Sequence, residues 1–196
     1  LSSVRLGTFC AEPVNEAVHI FAAANIAPNY INSYWATEHG GMVWSRVHDT
    51  NPPLSDTRTW PLPWVSGGVY TASGSVWREC APGEQGDLVI RERYPYQALT
   101  VWQSGGFGEP HWVGDAERWG AYFVPEVGYV QGDCAVCHAT GAYTLHGRSD
   151  EVINVGGNRI GTEEIENALL VDTNWEGSPL RNCVVVGMPD ELLGTS

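Results

Sequence analysis

A mixed fold of the α/β to α+β type is what the 196-residue sequence predicts, and three observations carry that expectation. The chain opens on a strand-like run, a turn and an amphipathic segment, so its first order is strand, helix, strand. Its middle is a series of short apolar runs cut by Gly and Pro signals, the pattern of a small β subdomain. Near Arg148 to Asp150 the composition shifts and a second strand-helix-strand order follows. This sets an expected boundary between residues 1–149 and 150–196.

The elements follow in order. Leu1 to Phe9 reads as a short strand, Ala11-Glu12-Pro13 as a turn, and Asn15 as the N-cap of a helix. That helix carries Ala17, Ile20, Phe21 and Ala24 on one face at i, i+3, i+4, i+7. Tyr30 to Trp35 and Met42 to Val47 are strands around a Gly40-Gly41 turn, and Pro, Asp and Ser mark Asp49 to Pro63 as a loop. Val69-Tyr70, Asp87 to Arg91 and Leu99 to Trp102 are further strands, parted by turns at Gly67-Gly68, Pro82-Gly83 and Gly105-Gly106. Tyr129 to Cys137 and Ala142 to His146 flank Ala139-Thr140-Gly141, a hairpin with Gly in its turn. Glu151 to Val155 is a strand and Gly156-Gly157-Asn158 a loop. Thr162 caps a helix with Glu163 and Glu164 in its first turn, and Asn182 to Gly187 is a closing strand.

Composition limits function. Asp+Glu total 23 against 10 Lys+Arg, a net charge of -13 and a pI of about 4.7, which disfavours nucleic acid and anionic membrane as partners. Every one of those cations is arginine, so the chain itself supplies no ε-ammonium chemistry. The longest apolar stretch, Ala17 to Ala27, is too short to span a bilayer, and no basic segment followed by an apolar run opens the sequence. A cytoplasmic location is the expectation. Cys10, Cys80, Cys134, Cys137 and Cys183 are odd in number and scattered, as reduced thiols are. Cys10 and Cys183 read as buried apolar thiols. Cys134-Ala135-Val136-Cys137-His138 satisfies the short pattern of c-type haem attachment, which makes a haem or metal module one alternative. In a strand, however, Cys134 and His138 face one side and Cys137 the other.

The most informative run is Gly147-Arg148-Ser149-Asp150-Glu151-Val152-Ile153-Asn154-Val155-Gly156-Gly157-Asn158-Arg159-Ile160-Gly161-Thr162-Glu163-Glu164-Ile165-Glu166. It resembles the hinge and following loop of the adenylate-forming superfamily, the acyl-CoA synthetases and their relatives. Three further runs stand in the order this family requires: Ala11-Glu12-Pro13-Val14-Asn15, then Asn32-Ser33-Tyr34-Trp35-Ala36-Thr37-Glu38-His39-Gly40-Gly41, then Gln131-Gly132-Asp133. The acetyl-CoA synthetase-like branch is the nearest resemblance.

The resemblance implies a site. Ala11, Glu12 and Pro13 fall on the adenine-contacting segment, Asp133 and Arg148 on the AMP ribose contacts, and Asp150 on the hinge. Gly156 and Gly157 fall where a close backbone loop passes the pantetheine arm of CoA, and Trp35, with Cys10 near it, on the acyl pocket. Thr37 and Glu38 fall on the phosphate and metal contacts, with Arg159 beside them as a second planar cation. Elementary chemistry agrees with these places. A carboxylate attacking the α-phosphate of ATP needs anion repulsion offset and the groups held in line. Thr37 offers a hydroxyl donor, Glu38 a hard oxygen ligand for Mg²⁺, and Asp133 two acceptors for two ribose hydroxyls. His39 stands where relatives carry a small hydroxyl residue, and Ala11 where they carry Gly.

The function implied is a short-chain acyl-CoA synthetase using ATP, Mg²⁺ and CoA on an acid of two or three carbons. Tyr34 to Arg46 and Asp172 to Arg181 also resemble the ligase part of propionyl-CoA synthase fusions, which adds 3-hydroxypropionate to acetate and propionate. Adenylation for a carrier protein is the alternative within the family. The family's phosphate loop and terminal catalytic lysine are not in the sequence, so the chain reads as an internal segment, inactive alone, whose partner is the rest of the synthetase polypeptide.

Overall fold

The computed structural model describes residues 3–10, 14, 16–46, 57–102, 114–149, 153–155, 158–162, 165–166, 168–169, 183–190 and 194–195. Strand β1 (Leu6–Phe9), helix α1 (Glu16–Asn25) and strand β2 (Asn29–Asn32) form a β-α-β unit in which β1 and β2 pair in parallel. Both strands therefore end on the same edge, where open parallel sheets bind ligands. A 3-10 turn at Thr37–His39 follows, then β3 (Trp44–Ser45) and β4 (Trp60–Pro61), which pair antiparallel.

The body is a six-stranded sheet of β5 (Gly67–Ser73), β6 (Val76–Glu79), β7 (Gln85–Ile90), β10 (Phe123–Val124), β11 (Gly128–Cys137) and β12 (Tyr143–Arg148), in the order β10-β11-β7-β5-β6 with β12 also on β11. Between them come β8 (Val101–Trp102), β9 (Gly114–Asp115) and the short helix α2 (Ala116–Gly120), whose first turn is closed by the Asp115 carboxylate accepting from the Arg118 amide at 2.9 Å. The central strand β7 buries Gly86 to Ile90. Its Leu88 and Ile90 join Val43, Trp44, Val69, Tyr94, Trp119, Tyr129 and Tyr143 in one aromatic-rich core. Gly67 is required there, because a Cβ would enter the Trp44 ring. The last strands, β13 (Ile153–Val155), β14 (Asn158–Ile160), β15 (Pro189–Asp190) and β16 (Gly194–Thr195), form a separate sheet of order β14-β13-β16-β15.

The hairpin around Gly141 forms as expected, with Gly141 at φ 77° and β12 running two residues further, to Arg148. Helix α1 forms over the expected segment, and within this chain it buries His19 and Ala22 and leaves Ile20 and Phe21 exposed. His19 is accommodated inside because its Nε2 meets the Tyr30 carbonyl oxygen at 2.5 Å. Two expectations are corrected. No strand forms over residues 183–188, whose side chains alternate between half-buried and exposed; two short strands appear beyond, at Pro189–Asp190 and Gly194–Thr195. Strand β6 was not expected, because Val76, Trp77, Arg78 and Glu79 lack both alternation and an apolar run.

Candidate active site

The segment after β2 runs off the carboxyl edge of the β1-β2 pair. The Ser33 amide donates to the Phe9 carbonyl at 3.0 Å, and Tyr34 pairs with Trp44 as an isolated bridge. The chain then tightens into the 3-10 turn, where the His39 amide donates to Ala36 O at 3.0 Å and the Gly40 amide to Thr37 O at 3.2 Å. Gly40 adopts φ 72°, and a Cβ on it would collide with the Tyr96 carbonyl oxygen. The turn thus fixes Thr37 outward in solvent, Glu38 half-buried and His39 buried.

Asp133 arrives from the other side, on β11. Register shifts between Val130 and Cys134 against β7, and between Asp133 and Ala135 against β12, put Gln131-Gly132-Asp133 in a bulged stretch, a device that re-aims side chains. Gly132 takes φ 90° there. The Tyr34 hydroxyl donates to Asp133 Oδ2, and Arg148 Nη1 stands 3.6 Å from Asp133 Oδ1. The same Arg148 Nη1 donates to the Gln131 carbonyl oxygen at 2.9 Å. Burial first, and then the Asp133 carboxylate, push the Tyr34 phenol well above its ordinary range, so it stays a donor.

Glu38 is met from β11 as well. Gln131 Nε2 donates to Glu38 Oε2 at 2.9 Å, and the Tyr122 hydroxyl stands 3.5 Å from Glu38 Oε1. The Tyr129 hydroxyl donates to Gln131 Oε1 at 3.0 Å, and burial, with Glu38 nearby, raises that phenol too. The His39 ring sits between Tyr34 and Tyr129, with centroids at 5.3 and 5.5 Å. Burial lowers the His39 imidazole to about 4, opposed by Glu38, so it is neutral at physiological pH.

Glu38, Asp133 and Arg148 are therefore brought together, across 93 residues at Gln131–Glu38 and 99 at Tyr34–Asp133. Thr37 is beside them. Trp35 is 42% exposed on the same segment and is no core residue. Cys10, read as a buried thiol, is half-buried at the end of β1, as is Cys183, whose thiol approaches the Glu166 carbonyl at 3.4 Å. Arg159 is placed by its backbone in the middle of β14. Ala11, Glu12, Pro13, Asp150, Gly156 and Gly157 lie outside the described residues. Tyr122 and Tyr129 had no site signal in the sequence, and Tyr34 and Gln131 stood in quoted runs without a role.

The Cys-x-x-Cys-His run does not gather. Cys134 is fully buried, Cys137 packs against the core with Tyr143 from the opposite face of β11, and His138 Nε2 meets Thr144 Oγ1 at 3.1 Å. Among the described residues, no group of three or more His, Cys, Asp or Glu side chains is placed to hold a metal ion.

No family model matches the chain. The chain is 33% identical over 203 residues to acetyl-coenzyme A synthetase of Ralstonia nicotianae, and 32% identical over 202 residues to that of Burkholderia thailandensis, with 99% of the chain aligned in each. The fold matches MatB of Rhodopseudomonas palustris, solved with ATP, at a TM-score of 0.72 and 19% identity over 97% of the chain. The chain is similar to a segment of acetyl-coenzyme A synthetases. A second solved structure, the anthranilate CoA ligase AuaEII in complex with anthranoyl-AMP, matches at a TM-score of 0.68 and 23% identity. The segment spans 28% of the two acetyl-CoA synthetases and 33% of each of the two solved chains.

Proposed function

We propose that this segment contributes the ribose, phosphate and metal contacts of an AMP-forming acid-thiol ligase. The complete protein would convert a carboxylate and ATP to acyl-AMP and pyrophosphate, then acyl-AMP and CoA to the thioester and AMP. The observation that carries the reading is the meeting of Glu38, Asp133 and Arg148 around Gln131. In the first half-reaction a carboxylate oxygen forms a bond to the α-phosphorus while the bond to the β-phosphate oxygen breaks. Residues that hold ribose and phosphates in line supply most of what a protein can contribute.

Asp133 accepts from the two ribose hydroxyls, held in place by Tyr34 and Arg148. Arg148, 41% exposed, reaches substrate oxygens with its guanidinium. Thr37 donates its hydroxyl to an α-phosphate oxygen. Glu38 fits Mg²⁺ on two counts: it is a hard oxygen donor, and among the described residues it makes no ion pair, being held by the neutral Gln131 amide and the Tyr122 phenol. A lone carboxylate suits this ion, which is commonly held by one or two carboxylates together with substrate phosphates. When bound, Mg²⁺ neutralises phosphate charge.

The remaining assignments belong to the same proposal: Ala11, Glu12 and Pro13 along the adenine, Arg159 on phosphate oxygens, Trp35 and Cys10 at the acyl pocket, and Gly156 and Gly157 along CoA. Asp150 is the hinge between residues 1–149 and 150–196. The acid has two or three carbons, such as acetate, propionate or 3-hydroxypropionate.

The test is carboxylate-dependent ATP-pyrophosphate exchange by the complete polypeptide, followed by thioester formation with CoA. Glu38→Gln is expected to lower exchange by roughly 100-fold or more with an unchanged unfolding temperature. A complete wild-type polypeptide without carboxylate-dependent exchange overturns the reading.

A further inference from the structure

Among the described residues, Gln131 makes the shorter of the two side-chain hydrogen bonds that tie Glu38 to the interior, the other coming from Tyr122. Its amide is used at both ends: Oε1 accepts from the Tyr129 hydroxyl at 3.0 Å, and Nε2 donates to Glu38 Oε2 at 2.9 Å. Because the phenol occupies the amide oxygen, the opposite orientation, with that oxygen against the carboxylate, is closed off. Tyr129 is itself fixed, 2% exposed and packed between the rings of His39, Trp119, Tyr122 and Phe123 at centroid distances of 5.5–5.9 Å. The rigid aromatic core is thereby wired to one carboxylate oxygen.

The chemistry of the donor is selective. An arginine in this place would cancel the charge of Glu38 and compete with a cation, whereas an amide orients the carboxylate and leaves its charge intact. One oxygen is held, and the other is approached only at 3.5 Å by Tyr122. The backbone of Gln131 carries a second duty, since its carbonyl accepts from Arg148 Nη1 at 2.9 Å. The bulged stretch of β11 thus sets the metal-side carboxylate through a side chain and the nucleotide-side cation through the main chain.

We propose that Gln131, locked by Tyr129, is a positioning residue that presents the second oxygen of Glu38, the one the Tyr122 hydroxyl meets only at 3.5 Å, to the divalent cation on the nucleotide phosphates. The proposal rests on the reading of Glu38 as the metal ligand. Partners of ligating groups typically change metal affinity by about 10- to 100-fold when removed.

The experiment is calorimetric binding of ATP to the complete polypeptide with and without Mg²⁺, beside thermal unfolding. Gln131→Met keeps the length and removes the amide; it should cut the Mg²⁺ enhancement of ATP affinity about 10-fold or more while Mg²⁺-free affinity stays within about 2-fold. Tyr129→Phe keeps the ring and frees the amide to turn, and should lose part of the same enhancement. A Gln131→Met protein of wild-type unfolding temperature and wild-type Mg²⁺ enhancement overturns the proposal, as does an equal loss with and without Mg²⁺. Should Gln131→Met not fold, an unchanged enhancement in folded Tyr129→Phe overturns it instead. A wild-type polypeptide that binds ATP without any Mg²⁺ enhancement refutes the metal reading of Glu38 itself, a result distinct from the other two.

Discussion

Trp35 and His39 stand four residues apart and have opposite fates. The Trp35 indole is 42% exposed while His39 is 1% exposed. Within this segment Trp35 is not packed into the core, so the cost of about 3–5 kcal/mol for truncating a buried ring does not arise from the contacts described. As lining of the proposed acyl pocket, Trp35→Gly in the complete polypeptide should shift kcat/KM from acetate or propionate toward longer acids. Each methylene gains roughly 0.8 kcal/mol by burial, so two or three give a factor on the order of 10 or more. Activity on acids of two to eight carbons checks this; a stable variant with the wild-type order of preference rules out the pocket assignment. His39 gives a pH prediction. Its folded value of about 4 lies below its ordinary 6.5, so the unfolded chain binds this proton more readily. Stability therefore falls as pH drops from about 6.5 through 4, by on the order of 3 kcal/mol, and is indifferent to this group at higher pH. Urea unfolding without Mg²⁺ or nucleotide should show His39→Phe losing less stability than wild type between pH 7 and 4. Parallel pH profiles would remove His39 as the cause.

At the scale of an element, the 3-10 turn and the bulge of β11 are the two structures that meet at the site. Gly40 closes the turn with φ 72° and no room for a Cβ beside the Tyr96 carbonyl, whereas Gly74, at φ 62°, has open space around it. The pair makes a controlled comparison. Gly74→Ala should cost only the left-handed backbone, about 1 kcal/mol, and leave nucleotide binding unchanged. Gly40→Ala must also displace the turn carrying Thr37 and Glu38, so it should lower the unfolding temperature further and weaken ATP binding in Mg²⁺. Equal effects of the two substitutions on ATP affinity would contradict the role of the turn. The hairpin of β11 and β12 was legible because apolar runs flank a Gly-containing turn, a local signal. The bulge within β11 was not, since Gln131-Gly132-Asp133 reads as ordinary strand until its partners on both sides shift register.

Across the whole molecule, the proposed hinge supplies the last prediction. Rotation of a small domain between two arrangements requires φ and ψ to change at Asp150, and proline fixes φ and removes the backbone donor. Asp150→Pro in the complete polypeptide should trap one arrangement, sparing the proposed acyl-AMP formation, measured by pyrophosphate exchange, more than thioester formation, measured with CoA. Equal losses in a folded variant would count against Asp150 as the hinge. The chain covers 28% of the acetyl-CoA synthetases it matches, so each of these measurements belongs to the complete polypeptide.

The sequence by itself determined the relationship and the local elements. Runs such as Tyr34 to Gly41 and Gly147 to Glu166 hold their chemistry in adjacent residues, and the strand and hairpin signals depend on neighbours a few positions away. It also located Glu38, Asp133 and Arg148 as separate points along the chain. Only the tertiary structure decided that Gln131 reaches Glu38, that Tyr34 holds Asp133, and that within this chain α1 turns His19 and Ala22 inward in place of Ile20 and Phe21. Contacts across 93 or 99 residues depend on register and on the order of strands, which no local period encodes. The inward face of a helix follows what it packs against. Here that is the thin β1-β2 layer, where a small alanine and a hydrogen-bonded histidine fit.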